Sequence, residues 1–96
     1  MKSRAPQAVG VLLEDLVNEL GIGQTLRQYN VITSWASIVG EKIARVTTPQ
    51  RIDNGILFVH VSTAPWRAEL AMRRMEILEK VNSAAGRKVI HDIRFR

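Results

Sequence analysis

The residue types in this chain that could carry chemistry are two histidines, one turn aspartate and an excess of arginines. His60 and His91 lie 31 positions apart in segments that alternate like β-strands, and the chain has no cysteine. A zinc site needs a third ligand at a recognisable spacing, and the pattern does not supply one. Asp53 belongs to a turn motif, while Gly21 and Gly23 are not followed by the Lys-Ser/Thr pair of a phosphate-binding loop. The sequence therefore predicts a protein that is not an enzyme and that holds no metal or cofactor.

The arginines point instead to a charged binding surface. Ten arginines and four lysines give a net charge of +5, and residues 49–96 hold nine of these fourteen cations against five acidic residues. Guanidinium groups suit phosphate forks and stacking on aromatic rings better than ammonium groups do. A polyanionic partner is one interpretation of this charge, and incidental basicity of a small protein is the other. Charge alone leaves both open.

Length and composition restrict the class of protein. A chain of 96 residues that is 46% apolar predicts one packed domain over residues 1–96, without a long flexible tail. The absence of cysteine favours a reducing compartment. The apolar run from Val9 to Leu13 stops at Glu14, which is too short for a signal peptide or a membrane span. We expect a cytoplasmic protein with no membrane partner and no small-molecule substrate.

Helical periodicity predicts two helices in the first half of the chain and one long helix in the second. The first two cover residues 7–20 and 24–39, with another turn over 41–46. The long helix runs over 64–85, because Pro65 suits its first turn and Gly86 its end. Its apolar face consists of Leu70, Ile77, Leu78 and Val81.

Alternating segments predict three strands, over residues 47–52, 56–61 and 89–95. Asp53-Asn54-Gly55 forms the tight turn between the first two. The order α-α-β-β-α-β predicts an α+β fold, with a three-stranded sheet and helices packed on one face. Alternation in the last strand places on its open side a basic stripe of Lys88, Ile90, Asp92, Arg94 and Arg96.

Candidate nucleic-acid contacts follow from this layout. With Phe58 or His60 nearby, a basic stripe on the open side of the sheet suits a single strand of nucleic acid. A solvated outer sheet face is the alternative. For Arg67 and Arg74, on the edge of the long helix, the alternative is that their stems cover apolar surface. The candidate set is Lys42, Arg45, Arg51, Arg67, Arg74, Arg94 and Arg96.

Candidate contacts to a protein partner are fewer. The sequence predicts that Trp35 belongs to the core, whereas for Trp66, in the first turn of the long helix, a core and a surface position are about equally favoured. Met72 and Met75 lie on one flank of the long helix and are expected first to fill the core. A partner-binding patch of Trp66, Met72 and Met75 is the weaker interpretation.

A spaced pattern from Val31 to Phe95 resembles the DciA family of small bacterial proteins. The resemblance implies a KH-like fold and a cytoplasmic, non-enzymatic adaptor that contacts single-stranded DNA or another nucleic acid and the replicative helicase. No two glycines stand three apart, so the glycine loop of RNA-binding KH domains is absent. An RNA-binding KH-like module and a pure protein-interaction domain remain alternatives. The matching residues are Trp35, Val39-Gly40, Ile43-Ala44, Thr48-Pro49, Asn54-Gly55, Leu57, Val59, Trp66, Leu70, Leu78 and Ile93-Arg94-Phe95.

Overall fold

A computed structural model describes residues 22–96, so the helix predicted over residues 7–20 lies outside the described part of the chain. The order of the described elements agrees with the predicted α+β fold. They are α1 (Gly23–Thr33), α2 (Trp35–Val39), α3 (Glu41–Ala44), β1 (Thr47–Asp53), β2 (Ile56–Val61), α4 (Ala64–Met72), α5 (Arg74–Ala85) and β3 (Asp92–Phe95).

The sheet has the order β1-β2-β3, with β1 antiparallel and β3 parallel to the central strand β2. The parallel pair requires a crossover, which α4 and α5 provide. Pro49 lies in β1, at the edge of the described sheet, and the register shifts between Pro49 and Arg51. A proline without an N–H group is tolerated at such an edge or bulge.

The β1–β2 turn forms as its sequence predicts. Asn54 and Gly55 have φ angles of 51° and 76°, and Asp53 pairs with Ile56 across the two-residue loop. Positive φ at both central positions is the requirement of a type I′ hairpin. A Cβ atom on Gly55 would lie 2.5 Å from Cδ2 of His91, so any larger residue would require that exposed ring to move.

The core lies between the helices and one face of the sheet. Leu57, Val59 and Val61 of β2 are fully buried, as is Leu70 of α4. Trp35 is 4% exposed, which confirms its predicted place in the core. The remaining buried members of the cluster are Val31, Val39, Ile43, Ile77, Val81, Val89, Ile90 and Ile93.

A buried hydrogen-bond chain ties Trp35 to the start of β1. Its indole Nε1 donates to Oγ1 of Thr47 at 2.8 Å, and that hydroxyl donates to the carbonyl of Ile43 at 2.7 Å. Thr47 is itself only 7% exposed. The indole N–H is thereby satisfied inside the core, where an unpaired donor would be costly.

Both predicted long helices are interrupted, so their prediction as continuous helices was wrong. The helix over 64–85 breaks at Arg73, which has φ −101° and ψ 18°, and the helix over 24–39 breaks at Ser34, with φ −103° and ψ 15°. Neither position carries glycine or proline. The breaks let the segments reach different partners, since α4 packs on β2 and β3 while α5 also packs on α1 and α2.

No helix within residues 22–96 combines the length and the apolarity needed to cross a bilayer.

The third strand begins at Asp92 and not at residue 89. Val89 and Ile90 are 3% and 1% exposed, so consecutive residues face the core and the predicted alternation fails there. The side chain of Asn82 explains the difference. Its Oδ1 accepts from the N–H groups of Val89 and Ile90 at 2.9 and 3.1 Å, and its Nδ2 donates to the Ile90 carbonyl at 2.9 Å. Ile90 therefore drops out of the predicted open-face stripe.

Candidate nucleic-acid interface

The side of the sheet opposite the core, here called the open sheet face, brings three arginines around one aromatic ring. Phe58 of β2 pairs with Arg51 of β1 on one side and with Arg94 of β3 on the other. Arg96 continues the ladder beyond β3, because its N–H donates to the Val59 carbonyl at 2.9 Å. Side chains two apart on a strand share a face, so Arg94 and Arg96 emerge on the same side.

The arginines cover the ring of Phe58. The guanidinium carbon of Arg51 lies 4.2 Å from the ring centroid, and that of Arg96 lies 4.9 Å from it. Both distances fall in the range of a cation–π contact. Phe58 is only 9% exposed, yet it is not part of the core cluster. Arginine side chains on the open sheet face therefore contribute to its burial.

Asp92 links two more arginines at the border of this face. Its Oδ2 accepts from Nε of Arg94, and its Oδ1 lies near Nη1 of Arg74, both at 3.2 Å. Partial burial raises the pKa of Asp92, but hydrogen bonds from Arg94 and the Ile93 backbone, with the two guanidinium charges, lower it overall. Asp92 is therefore ionised at neutral pH and offsets part of the local positive charge.

Of the arginines on the open sheet face, Arg51 and Arg96 are the two that no carboxylate holds within residues 22–96. Among residues 22–96, neither forms an ion pair, and both side chains are exposed. A guanidinium that stacks on a ring still directs its N–H edges away from it, which is the arrangement that suits bidentate phosphate contacts.

The other predicted cations lie elsewhere. Arg45 pairs with Glu41 at 3.5 Å on α3. Arg67 is half-buried, and its Nη2 donates to the Val61 carbonyl at 3.1 Å, so its guanidinium serves the fold at the end of the sheet. Lys42 lines a groove with Trp66. Of the seven candidates, the structure gathers Arg51, Arg94 and Arg96 around Phe58 and joins Arg74 to them through Asp92.

The three residues predicted to contact a protein partner also differ in their surroundings. Met72 and Met75 are 85% and 67% exposed, so the expectation that they fill the core was wrong. Leu70 and Ile77 stand seven positions apart and both face the core, whereas Met72 and Met75 fall at positions between them that face away from it. Trp66 is half-buried against the core and lines the groove of about 360 Å³, together with Lys42, Pro65, Glu69 and Arg73.

The two histidines lie in different surroundings. His60 is exposed on the open sheet face, opposite Thr48. His91 is also exposed but precedes β3, where its Nε2 lies 2.9 Å from the Asn54 carbonyl. No group of three or more metal-ligating side chains converges within residues 22–96.

Comparison with family models matches residues 8–95 to DciA, described as the Dna[CI] antecedent. The chain therefore belongs to the DciA family. The match covers every residue of the open sheet face except Arg96. It confirms the resemblance carried by the pattern from Val31 to Phe95.

Relatives of this DciA-family chain include several UPF0232 proteins. The protein of Mycolicibacterium smegmatis is 30% identical over 88 residues, a match that covers 92% of this chain and 45% of that protein. The proteins of Rhodococcus jostii and Mycobacterium leprae are 31% and 30% identical over 91 residues, covering 95% of this chain and 48% of theirs. The chain thus spans about half the length of these relatives.

Sequence reasoning placed Asp92 on the open side of the last strand of this DciA-family chain but missed that it pairs with Arg94 and Arg74. A signal was present, because Asp92 stands two residues before Arg94 and residues two apart on a strand share a face. The contact between Asp92 and Arg74 had no such signal. It joins residues 18 positions apart and depends on how α5 crosses the end of β3.

Proposed function

We propose that this chain is a non-enzymatic adaptor that binds nucleic acid through the open sheet face and assists the replicative DNA helicase. The observation that carries the nucleic-acid part is the grouping of Arg51, Arg94 and Arg96 around Phe58. Family membership supports the helicase part. Such a role would place the protein in the cytoplasm.

Binding on this face is dominated by phosphate contacts. Guanidinium groups neutralise phosphates and release counterions, which gives affinity without sequence preference. Two or three such contacts to a single strand predict a log–log salt slope of about −1.4 to −2.1. Arg94 makes the third contact only in competition with Asp92, because the two side chains are paired.

A salt titration with labelled single-stranded DNA tests the nucleic-acid part. Replacing Arg51, Arg94 and Arg96 by Gln should bring the slope close to zero, because each lost phosphate contact removes about 0.7. The matched control is Arg87→Gln, which removes one exposed arginine from the groove beside Met75 and Leu78. That change should leave the slope within about 0.3 of its original value.

Three outcomes separate the alternatives. No binding at low salt to single-stranded DNA, duplex DNA or RNA contradicts the nucleic-acid proposal and favours a protein-interaction domain. Preference for RNA over DNA of matched sequence favours an RNA-binding module. If Arg87→Gln reduces the slope by about one third of the reduction seen with the triple change, each arginine counts equally, and total charge, not the open sheet face, determines binding.

The helicase contact is assigned to the exposed apolar surface at the α4–α5 break. Met72 and Met75 lie there in solvent, and half-buried Trp66 lies earlier on α4. A pull-down with purified replicative helicase, after nuclease treatment, should weaken when both methionines are replaced by Ser. Tyr29→Ser is the control, because it removes an apolar side chain that is 63% exposed on α1. Equal capture by all three proteins would place the contact elsewhere.

A further inference from the structure

Phe58 differs from the other buried apolar side chains within residues 22–96, because it lies on the open sheet face and outside the core cluster. The alternation of β2 directs Leu57 and Val59 into the core and Phe58 away from it. An aromatic ring in that position gains little from the core. Arg51 and Arg96 lie against it and cover the ring.

We infer that Phe58 is a base-stacking platform for single-stranded nucleic acid, closed in the free protein by the side chains of Arg51 and Arg96. The inference rests on the proposed nucleic-acid function and assigns its ligand class and a further binding residue. The cover consists of two flexible, exposed side chains with no carboxylate partner among residues 22–96. Nothing packed in the core has to move to uncover the ring.

Phosphate binding provides the opening step. A phosphate beside the ring attracts the N–H edges of Arg51 or Arg96, and the guanidinium moves from the ring toward the phosphate oxygens. A base from the same strand then takes its place on the ring, since every base has a flat face that stacks on an aromatic side chain. Bases in a duplex are already stacked and paired, so they offer no free face. Stacking on Phe58 therefore selects single strands, whereas the arginines alone do not.

Phe58→Leu tests this directly, because leucine keeps an apolar side chain under the arginines and removes only the flat ring. Affinity for a single-stranded oligonucleotide should fall about 5- to 150-fold, the range that corresponds to one lost base–aromatic stack. Affinity for a duplex of the same length should change less than about twofold, and the salt slope should not change. Ile56→Ala is the matched control, since Ile56 is a half-buried apolar residue on the same face of the same strand.

A second measurement does not depend on how the variant folds. The unaltered protein is titrated with a single strand that contains abasic sites, which keeps every phosphate and removes the bases. Its affinity should be about 5- to 150-fold lower than for the intact strand, the range that corresponds to one lost base–aromatic stack. Equal affinity for the intact and abasic strands would overturn the stacking inference.

Failure of the inference can be told apart from failure of the proposed function. If replacing the arginines removes binding but Phe58→Leu and abasic sites do not weaken it, the platform is wrong and the phosphate-binding face stands. A parallel fall in duplex and single-strand affinity for Phe58→Leu also overturns the platform. If the unaltered protein binds neither strand at low salt, both proposals fail together.

Discussion

Asp92→Asn is the most informative single change on the open sheet face, because it removes one charge while keeping the shape of the side chain. The carboxylate of Asp92 holds Arg94 and Arg74, each at 3.2 Å. In a protein that binds phosphates through Arg94, this carboxylate is a competitor for the ligand. We therefore expect Asp92→Asn to bind single-stranded DNA more tightly and to fold less stably.

The gain in affinity can be estimated from counterion release. If the substitution frees Arg94 for one full phosphate contact, the salt slope steepens by about 0.7. At 0.1 M salt this corresponds to about fivefold tighter binding. Participation of Arg74 as well would raise the factor to about 25.

The loss of stability has a defined pH dependence. The three side chains keep 24% to 52% of their surface exposed, so solvent screens both ion pairs and the loss is about 1 kcal/mol, or about 4–8 °C in Tm. The pKa of Asp92 is lowered in the folded protein, so the stabilisation is complete above the unfolded pKa of about 3.9. It disappears as the pH falls through the lower folded pKa. The Tm difference between the two proteins should therefore be full at pH 7 and shrink in acid.

Glu76→Gln is the control for this experiment. Glu76 pairs with Arg73 at 3.1 Å and with Lys80 at 3.9 Å on α5, so neutralising it changes the net charge by the same amount away from the open sheet face. Its affinity for single-stranded DNA should stay within about twofold of the unaltered protein. If Asp92→Asn binds no more tightly than Glu76→Gln, Asp92 does not compete for the ligand. If it binds more weakly than the unaltered protein, Asp92 instead positions Arg94 for binding.

Two predictions test the parts of the fold that support this face. Thr47→Val should cost about 1–3 kcal/mol in the free energy of unfolding by denaturant, because it leaves the indole N–H of Trp35 buried without an acceptor. If Thr47→Val costs as much in a Trp35→Phe protein, which has no indole, as it does in the unaltered protein, the role of that hydrogen bond is contradicted. Asn82→Ala should cost about 2–3 kcal/mol and speed hydrogen exchange at Val89 and Ile90, because three hydrogen bonds are lost. Asn82→Asp keeps the acceptor oxygen and should exchange more slowly there than Asn82→Ala, and equal rates would refute the assignment.

The elements that sequence reasoning placed well are those with a strong local signal. Asn54-Gly55 tolerates positive φ, and the strand from Ile56 to Val61 alternates cleanly, so both appear as predicted. The prediction of which side of the long helix faces the core was also correct, since Leu70, Ile77 and Val81 are fully buried. These features depend on residues within one or two turns or strand repeats of each other.

The features that were missed depend on distant contacts. Arg73 is a good helix former, so its residue type gives no sign of that break, and α4 and α5 on its two sides pack on different elements. Ser34 is a weaker helix former, so the sequence indicates a weak point there but not a break. The late start of β3 depends on the side chain of Asn82, which replaces a strand partner for Val89 and Ile90. A polar residue on a helix gives no sign in the sequence of which distant backbone groups it will bind.

The candidate site shows the same division. Alternation placed Phe58, Arg94 and Arg96 on the open face, but it could not show that Arg51 lies over the same ring, because that depends on the register shift after Pro49. Conversely, charge alone included Arg67, whose guanidinium is used by the Val61 carbonyl. Residue type identifies the cations, and packing decides which of them remain available.

Two different interactions hold the arginines of the open sheet face, ion pairing and stacking on an aromatic ring. They predict opposite effects of substitution on the affinity for a single strand. Asp92 holds Arg74 and Arg94 by charge, so its hold competes directly with phosphate and is lost on protonation. Phe58 holds Arg51 and Arg96 by stacking, so its hold carries no net charge and leaves a surface that a base can use. Removing the first should strengthen binding of a single strand, and removing the second should weaken it. A merely solvated sheet face predicts no such opposition, because neither substitution would then change affinity beyond its small effect on net charge.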